Sequence, residues 1–209
     1  MSQNRSSAVM QQRSEKLASI DDFPTPPWAV RALCEYLRDK MGEPLSSRTV
    51  REPAANRGYM VRALAESFRS VDASDIMDYG QGYVQRDYIW ELDTDWAKVD
   101  WTITNPPFTL AQRFVERGLE TSSIGVAVIV RSAFLEGIER YSSLFSVRKP
   151  ALVLQHVERV PMVKGRYDPN VASATAYSWV VWLKAPHGPT VFDWIPPCRK
   201  RLERESDAA

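Results

Sequence analysis

Two cysteines and two histidines among 209 residues leave little material for a metal centre or a disulfide framework. Cys34 and Cys198 show no ligand spacing, and their isolation implies a reducing, cytoplasmic setting. His156 lies in a strand-like segment and His187 in a turn, neither with a partner at ligand spacing, so no metal is expected. Long hydrophobic runs are missing as well. The longest, residues 126–130 with Ile124 just before it, falls far short of the ~20 residues that cross a bilayer. The opening "MSQNRSSAVMQQRSEK" has no apolar core of the kind a signal peptide needs. No internal repeat or low-complexity tract appears. Net charge is only +1, so no overall excess points to nucleic acid. Its distribution is uneven, net −3 over residues 1–120 and net +4 over 121–209. That split suits a small cofactor held by the first part and a polyanion met by the second, although a difference of this size also arises by chance.

What is present fits one soluble domain with a full core: 44% hydrophobic and 25% charged residues. The division expected is a mobile arm over residues 1–21, a single α/β domain over 22–196 and a solvated charged tail over 197–209. In "DDFPTPPWAVRALCEYLRDKMG", Thr25 is the expected N-cap and Pro26 the first helical residue. Val30, Leu33, Leu37 and Met41 form the apolar face, and Gly42 closes the helix. "RTVRE" reads as a strand. The loop "PAANRG" leads into a second helix with Met60, Val61, Leu64, Ala65 and Phe68 on one face. "SVDASDI", a short piece of "GYVQRDYIW" and "VDWTIT" are further strands. A helix over residues 110–119 precedes the most apolar strand, "IGVAVIV". A helix around 137–147 then precedes the strands "ALVLQHVERV" and "AYSWVVWLK". Alternating strands and helices predict a mostly parallel seven-stranded sheet with helices on both faces. The last two strands, joined without helical periodicity, predict a terminal antiparallel hairpin.

In open α/β sheets ligands collect at the carboxyl ends of the parallel strands. Four strands end there in polar groups: Glu52, Asp75, Asp87 and Asn105. In "EPAANRGYM", small residues allow close backbone approach, Gly58 takes positive φ, and Asn56 tolerates the left-handed region. Glu52 can hold an ammonium, and the helix N-terminus offers N–H groups to a carboxylate. A plain strand–helix turn has the same local form, and a lone Asp at a strand end is commonly a cap. Asp75 and Asp87 can accept hydrogen bonds from a ribose and an adenine amino group. "TNPPF" is the most specific stretch. Pro106 and Pro107 fix φ and hold Asn105 and Pro106 extended. The Asn105 side-chain oxygen and the Pro106 carbonyl then become two fixed acceptors for one –NH₂, and Phe108 adds a stacking face.

These motifs resemble the class I S-adenosylmethionine-dependent amino-methyltransferases, and among them the phage-type adenine-specific DNA methyltransferases. The resemblance covers residues 22–184. "NPPF" is similar to the family's catalytic tetrad, "EPAANRG" to its glycine-rich cofactor loop, and "DFPTPPW" to its N-terminal cofactor motif. Asn56 departs from the usual Gly-x-Gly. The resemblance implies a Rossmann-like methyltransferase fold and methylation of the N6 amine of adenine in double-stranded DNA, with S-adenosylmethionine as cofactor and a flipped target base. It implies catalytic Asn105, Pro106, Pro107 and Phe108. The cofactor would meet Pro24, Thr25, Trp28, Glu52, Pro53, Ala54, Asn56, Gly58, Met60, Asp75, Ile76, Asp87, Tyr88, Ile89 and Asn105. The substrate would meet Phe108, Arg131, Ser132, Lys164, Arg166 and Tyr167. No membrane contact is expected, and the protein would act as a monomer or homodimer. RNA adenine and protein glutamine are alternative acceptors, and a non-catalytic nucleic-acid-binding subunit is the alternative from another class.

Overall fold

The computed structural model describes residues 21–91, 96–171 and 173–208. The arm expected over residues 1–21 lies outside them except for Asp21. The strands are β1 (Thr49–Glu52), β2 (Ser70–Asp75), β3 (Val84–Gln85), β4 (Val99–Thr104), β5 (Ser122–Arg131), β6 (Leu152–His156), β7 (Tyr177–Leu183) and β8 (Val191–Ile195). They form one sheet in the order β3-β2-β1-β4-β5-β7-β6-β8. All pairings are parallel except those of β7, which runs antiparallel to both β5 and β6. The seven expected strands and the hairpin of β6 and β7 are present. The eighth, "VFDWI", was not anticipated. It adds to the edge beside β6, with Tyr36 donating to Asp193 on one side (2.8 Å) and Phe192 and Trp194 half-exposed on the other.

Helix α1 (Pro27–Asp39) packs its long apolar side on one face of the sheet. Trp28, Leu33 and Leu37 there meet Ile103, Ile129, Trp179 and Val181 in the larger core. The alternate residues Val126, Val128 and Val130 of β5 face the other way, onto α3 (Ala111–Thr121), through Val115, Leu144 and Trp182. A strand buried on both faces needs such a continuous apolar run, and this accounts for "IGVAVIV".

Several local expectations are corrected. Pro26, not Thr25, is the N-cap of α1, and Pro27 takes the first helical position. Each proline forces the residue before it out of the helical region, which moves the start on by one. In α2 (Tyr59–Ala65) the buried face is Met60, Ala63 and Leu64, continued by Phe68, while Ala65 is exposed. The helix around 137–147 is a short α4 (Ile138–Arg140) that widens into a π-turn over Tyr141–Phe145. Ser142, Ser143 and Ser146 hydroxyls there bond back to carbonyls four residues earlier, in keeping with a widened turn.

The tail is ordered and anchored, although Lys200, Arg201, Arg204, Glu205 and Ser206 are exposed. Residues 199–202 form α5 and Glu205–Ala208 a 3-10 turn, and buried Asp207 takes two 2.7 Å hydrogen bonds from Arg31 of α1. Arg31 also donates to Leu202 O (2.7 Å) and to Glu66 (2.8 and 2.9 Å), so one buried guanidinium ties the chain end to α1 and the segment after α2. The described residues contain no helix long and apolar enough to cross a membrane and no cluster of three or more metal-ligating side chains.

Candidate active site

The strand order β3-β2-β1-β4 sets Asp87, Asp75, Glu52 and Asn105 along one carboxyl edge of the sheet. Three strand spacings of ~4.8 Å make a row roughly 14 Å long. One cavity runs along it and is walled by all four of these residues. It lies at the point where the chain crosses from the β1–β3 side to β4, the usual ligand crevice of such sheets.

Glu52, at the end of β1, is fully buried. Its Oε1 accepts from Ala54 N–H (2.9 Å) and from the Thr104 hydroxyl (2.6 Å), while Oε2 is buried with no partner. Burial pushes its carboxyl up to about 8, against the lowering effect of those two hydrogen bonds. Thr25 Oγ1 and Arg57 Nε are also buried without partners in the wall of the same cavity. An orphaned carboxylate oxygen, a hydroxyl and an orphaned guanidinium N–H together match an α-amino-acid group: ammonium to the first two, carboxylate to the third. The N–H groups of the loop before the helix N-terminus are committed within the protein. Those of residues 54–58 go to Glu52, Ser74 O, Asp75, the Asn56 side chain and Ala55 O.

The loop geometry explains the asparagine. Asn56 sits at φ 49°, the only non-glycine residue at positive φ among those described. Its Nδ2 donates to Asp22 (2.8 Å), which also receives Arg57 (2.8 Å). Asparagine thus meets the left-handed requirement and adds a tie to residue 22 that glycine cannot make. Gly58 (φ 79°) caps α2, and a Cβ there would stand 2.3 Å from the Tyr83 hydroxyl.

Asp75 accepts from Asn56 N–H (2.8 Å) and Met77 N–H (2.9 Å), and burial raises its pKa. Asp87 holds the turn after β3 by accepting from Ile89 N–H (3.0 Å) and Trp90 N–H (3.1 Å). Tyr88 and Ile89 line the cavity beside it, with Tyr88 buried edge-on against Trp96.

At the far end stands the elbow of residues 105–108. Asn105 Nδ2 donates to Phe23 O (2.9 Å) and touches Met162 Sδ. A carbonyl can only accept, so this bond fixes which side-chain atom is which. Asn105 Oδ1 is left buried and without a partner in the cavity wall. Phe108 N–H is held by Asp21 Oδ2 (2.9 Å), and Leu110 N–H by Pro107 O (2.9 Å), just before α3 begins. The Phe108 ring packs against Phe23 at 5.8 Å and carries the Arg131 guanidinium 4.2 Å from its centroid.

Of the expected cofactor residues, Pro24, Thr25, Glu52, Pro53, Ala54, Asn56, Met60, Asp75, Ile76, Asp87, Tyr88, Ile89 and Asn105 wall the cavity. Trp28 does not: it is a core residue of α1, edge-on to His156. Gly58 shapes the loop from behind. The expected substrate residues are dispersed. Ser132 is tied to Ser178 and Gln155 (2.8 Å each). Lys164 and Arg166 are exposed on a tight turn closed by the Val163–Arg166 bridge, and Arg166 pairs with Asp168 (3.3 Å). Tyr167 is buried, its hydroxyl bonded to Glu203, and is not free to meet a substrate. That turn nonetheless reaches the site, because Gly165 N–H donates to Asp22 O (2.8 Å).

The cavity also includes Asp21, Phe23, Arg57, Tyr59, Met77, Tyr79, Trp90, Leu110 and Phe114. Asp21 and Phe23 adjoin "PTPPW" and were within reach of the sequence. Tyr79 and Trp90 come from loops with no periodic pattern to flag them.

No protein-family model and no curated protein matches the sequence. Solved structures do. The methyltransferase subunit of a type I restriction-modification system from Streptococcus thermophilus superposes with a TM-score of 0.61 at 10% identity, over 90% of this chain and 50% of that one. The type IIG restriction endonuclease BpuSI gives 0.57 at 15% identity, over 88% of this chain and 27% of that one. The 1,6-didemethyltoxoflavin-N1-methyltransferase of Burkholderia thailandensis, solved with S-adenosylhomocysteine, gives 0.51 at 15% identity, over 76% and 79%. This chain therefore spans half the length of the Streptococcus subunit and about a quarter of the endonuclease. The sheet order and the reversed β7 give the chain the architecture of the class I S-adenosylmethionine-dependent methyltransferases.

Proposed function

We propose that the protein transfers a methyl group from S-adenosylmethionine to the N6 amine of adenine in DNA. One observation carries the reading: Asn105 Oδ1 is a buried, unpartnered acceptor, locked by its own amide, in the wall of a cavity that also holds the unpartnered Glu52 Oε2 on the neighbouring strand. With the Pro106 carbonyl as a second acceptor, the elbow suits the two donors of an –NH₂ group, whereas a hydroxyl has only one.

The groups along the cavity fit the cofactor. Glu52 and Thr25 take its ammonium, Arg57 its carboxylate, Asp75 its ribose, and Asp87 its adenine between Tyr88 and Ile89. When bound, it supplies a methyl group activated on a sulfonium. The chain's own residues do the rest. Asn105 Oδ1 and the Pro106 carbonyl accept the two N–H bonds of the target amine. This draws its lone pair out of conjugation and stabilises the positive charge that develops on nitrogen. The elbow also fixes the approach, and position alone supplies much of the rate. Phe108 offers a face to a base flipped out of the duplex. A base stacking there displaces Arg131, at the expense of a cation–π contact of about 0.5–2 kcal/mol.

DNA is favoured over protein because Lys164 and Arg166 sit on the turn tied to Asp22, where phosphate contacts are useful. The test is incubation of duplex DNA with methyl-labelled cofactor, then nucleoside analysis. Label in N6-methyladenine is the expected result. Label in RNA or protein alone moves the substrate, and failure to bind the cofactor by calorimetry leaves only a binding subunit.

A further inference from the structure

We infer that Asp21 is a catalytic base of this site, its carboxylate taking up the proton that the target amine gives off as it is methylated. The inference rests on the amine-methylation reading above and assigns a step that the Asn-Pro-Pro-Phe elbow cannot perform alone.

Residues 21–23 run alongside the elbow and are bonded to both of its ends. Phe23 O accepts from Asn105 Nδ2 at the first residue, and Asp21 Oδ2 accepts from Phe108 N–H at the last, each at 2.9 Å. The Phe23 and Phe108 rings pack together along the same line. Asp21 walls the same cavity as Asn105 and Pro107. Its second oxygen, Oδ1, has no hydrogen-bond or ion-pair partner among the described residues. The Arg131 guanidinium lies over the Phe108 ring. Asp21 is thus a carboxylate held at one oxygen by the catalytic elbow, with the other oxygen left for use.

The chemistry offers such a group a step to perform. In the transfer the carbon–sulfur bond breaks with its electron pair staying on sulfur, which becomes a neutral thioether. The nitrogen lone pair forms the new nitrogen–carbon bond, leaving a cationic nitrogen with two hydrogens and a methyl. One N–H bond must then break, its electrons returning to nitrogen and the ring, and the proton must go somewhere. The oxygens of Asn105 and Pro106 accept hydrogen bonds, but an amide is too weak a base to hold a proton. Asp21 Oδ1 can take it and release it to solvent. Before that, the negative charge lowers the energy of the nitrogen cation inside a partly dry cavity.

The experiment compares the full-length chain with Asp21→Asn and Asp21→Ala in single-turnover methyl transfer to duplex DNA. Cofactor affinity and melting temperature are measured alongside. Asparagine keeps a carbonyl oxygen for Phe108 N–H and removes only charge and basicity. The expected result is at least a tenfold slower transfer in Asp21→Asn, with cofactor affinity within twofold of wild type and melting unchanged. Asp21→Ala should also lose stability. Transfer by Asp21→Asn less than tenfold slowed overturns the inference and leaves Asp21 a strut. So does a slowing matched by equal losses of affinity and stability. Failure of the wild-type chain to methylate any amine removes the function and this inference together, whereas an active wild type with an equally active Asp21→Asn removes the inference alone.

Discussion

Glu52→Gln separates the demands of folding from those of ligand binding at one atom. The carboxyl is fully buried, and burial lifts its pKa from the ordinary 4.5 to about 8. Between those values the folded chain holds a proton that the unfolded chain has lost, so stability falls as pH rises from about 4.5 to 8 and levels off above. At about 1.4 kcal/mol per unit, the fall amounts to a few kcal/mol. Glutamine keeps an oxygen for Ala54 N–H and Thr104 and never ionises. The variant should therefore melt close to wild type at pH 5 and clearly above it at pH 8, by roughly 10–20 °C at about 2–4 °C per kcal/mol. Cofactor binding should move the opposite way. An ammonium seated on Glu52 needs the carboxylate, so wild type should release close to one proton per cofactor bound at pH 6.5. The variant should release almost none and bind ~10–100-fold more weakly, the scale of one charged hydrogen bond. Melting curves across pH, with calorimetry in two buffers of different ionisation enthalpy, measure both. A melting difference that does not change between pH 5 and 8, or equal affinity in the two proteins, refutes the argument.

Asn105→Ala should lower single-turnover methyl transfer at least a hundredfold while leaving cofactor affinity within about twofold, read by labelled transfer and by calorimetry. Gly58→Ala should destabilise the chain by about 1–3 kcal/mol in denaturant unfolding, because φ is +79° and the new Cβ meets the Tyr83 hydroxyl; adding Tyr83→Phe should return the steric share and leave a backbone cost of about 1–2 kcal/mol. Arg31→Met should cost about 3–5 kcal/mol, since Asp207 is then buried without its partner, and residues 199–208 should become the first site of limited proteolysis.

The strands and the elbow were legible because their signals are local. "VDWTI" is an apolar run and "NPPF" two consecutive restraints on φ, and neither depends on what packs nearby. The same holds for β6 and β7, whose connection lacks helical periodicity. Elements fixed by distant contacts were not legible. "VFDWI" has two half-exposed aromatics and reads as surface until Tyr36 bonds Asp193 and β6 supplies its ladder. The charged tail reads as solvated because nothing within it shows that Arg31, 176 residues away, takes up Asp207. Trp28 looked like a cofactor residue because it follows "PTPP", but its place on the helix turns it into the core. Asn56 is the reverse case. Read locally it is a glycine lost, and only its partner Asp22 shows what the side chain adds.

We propose that the cavity is a ligand site and not a plain strand–helix turn, on account of its unmet hydrogen bonds. A turn that serves only the fold satisfies its buried polar groups, since each one left alone costs about 1–3 kcal/mol. Of the buried side-chain atoms left unmet in the described residues, Thr25 Oγ1, Glu52 Oε2, Arg57 Nε and Asn105 Oδ1 wall one cavity, while others, such as Trp101 Nε1 and both His156 nitrogens, belong to residues away from it. Their order matters more than their number. On the proposed reading, Thr25, Glu52 and Arg57 meet an ammonium and a carboxylate, while Asn105, on the neighbouring strand β4, meets an amine. The backbone around them is fully committed, with every N–H of residues 54–58 already paired. Orphaned side chains on a satisfied backbone suit ligand donors and acceptors that complete them. That is the condition under which binding energy appears at the reacting nitrogen instead of being spent on rearranging the site.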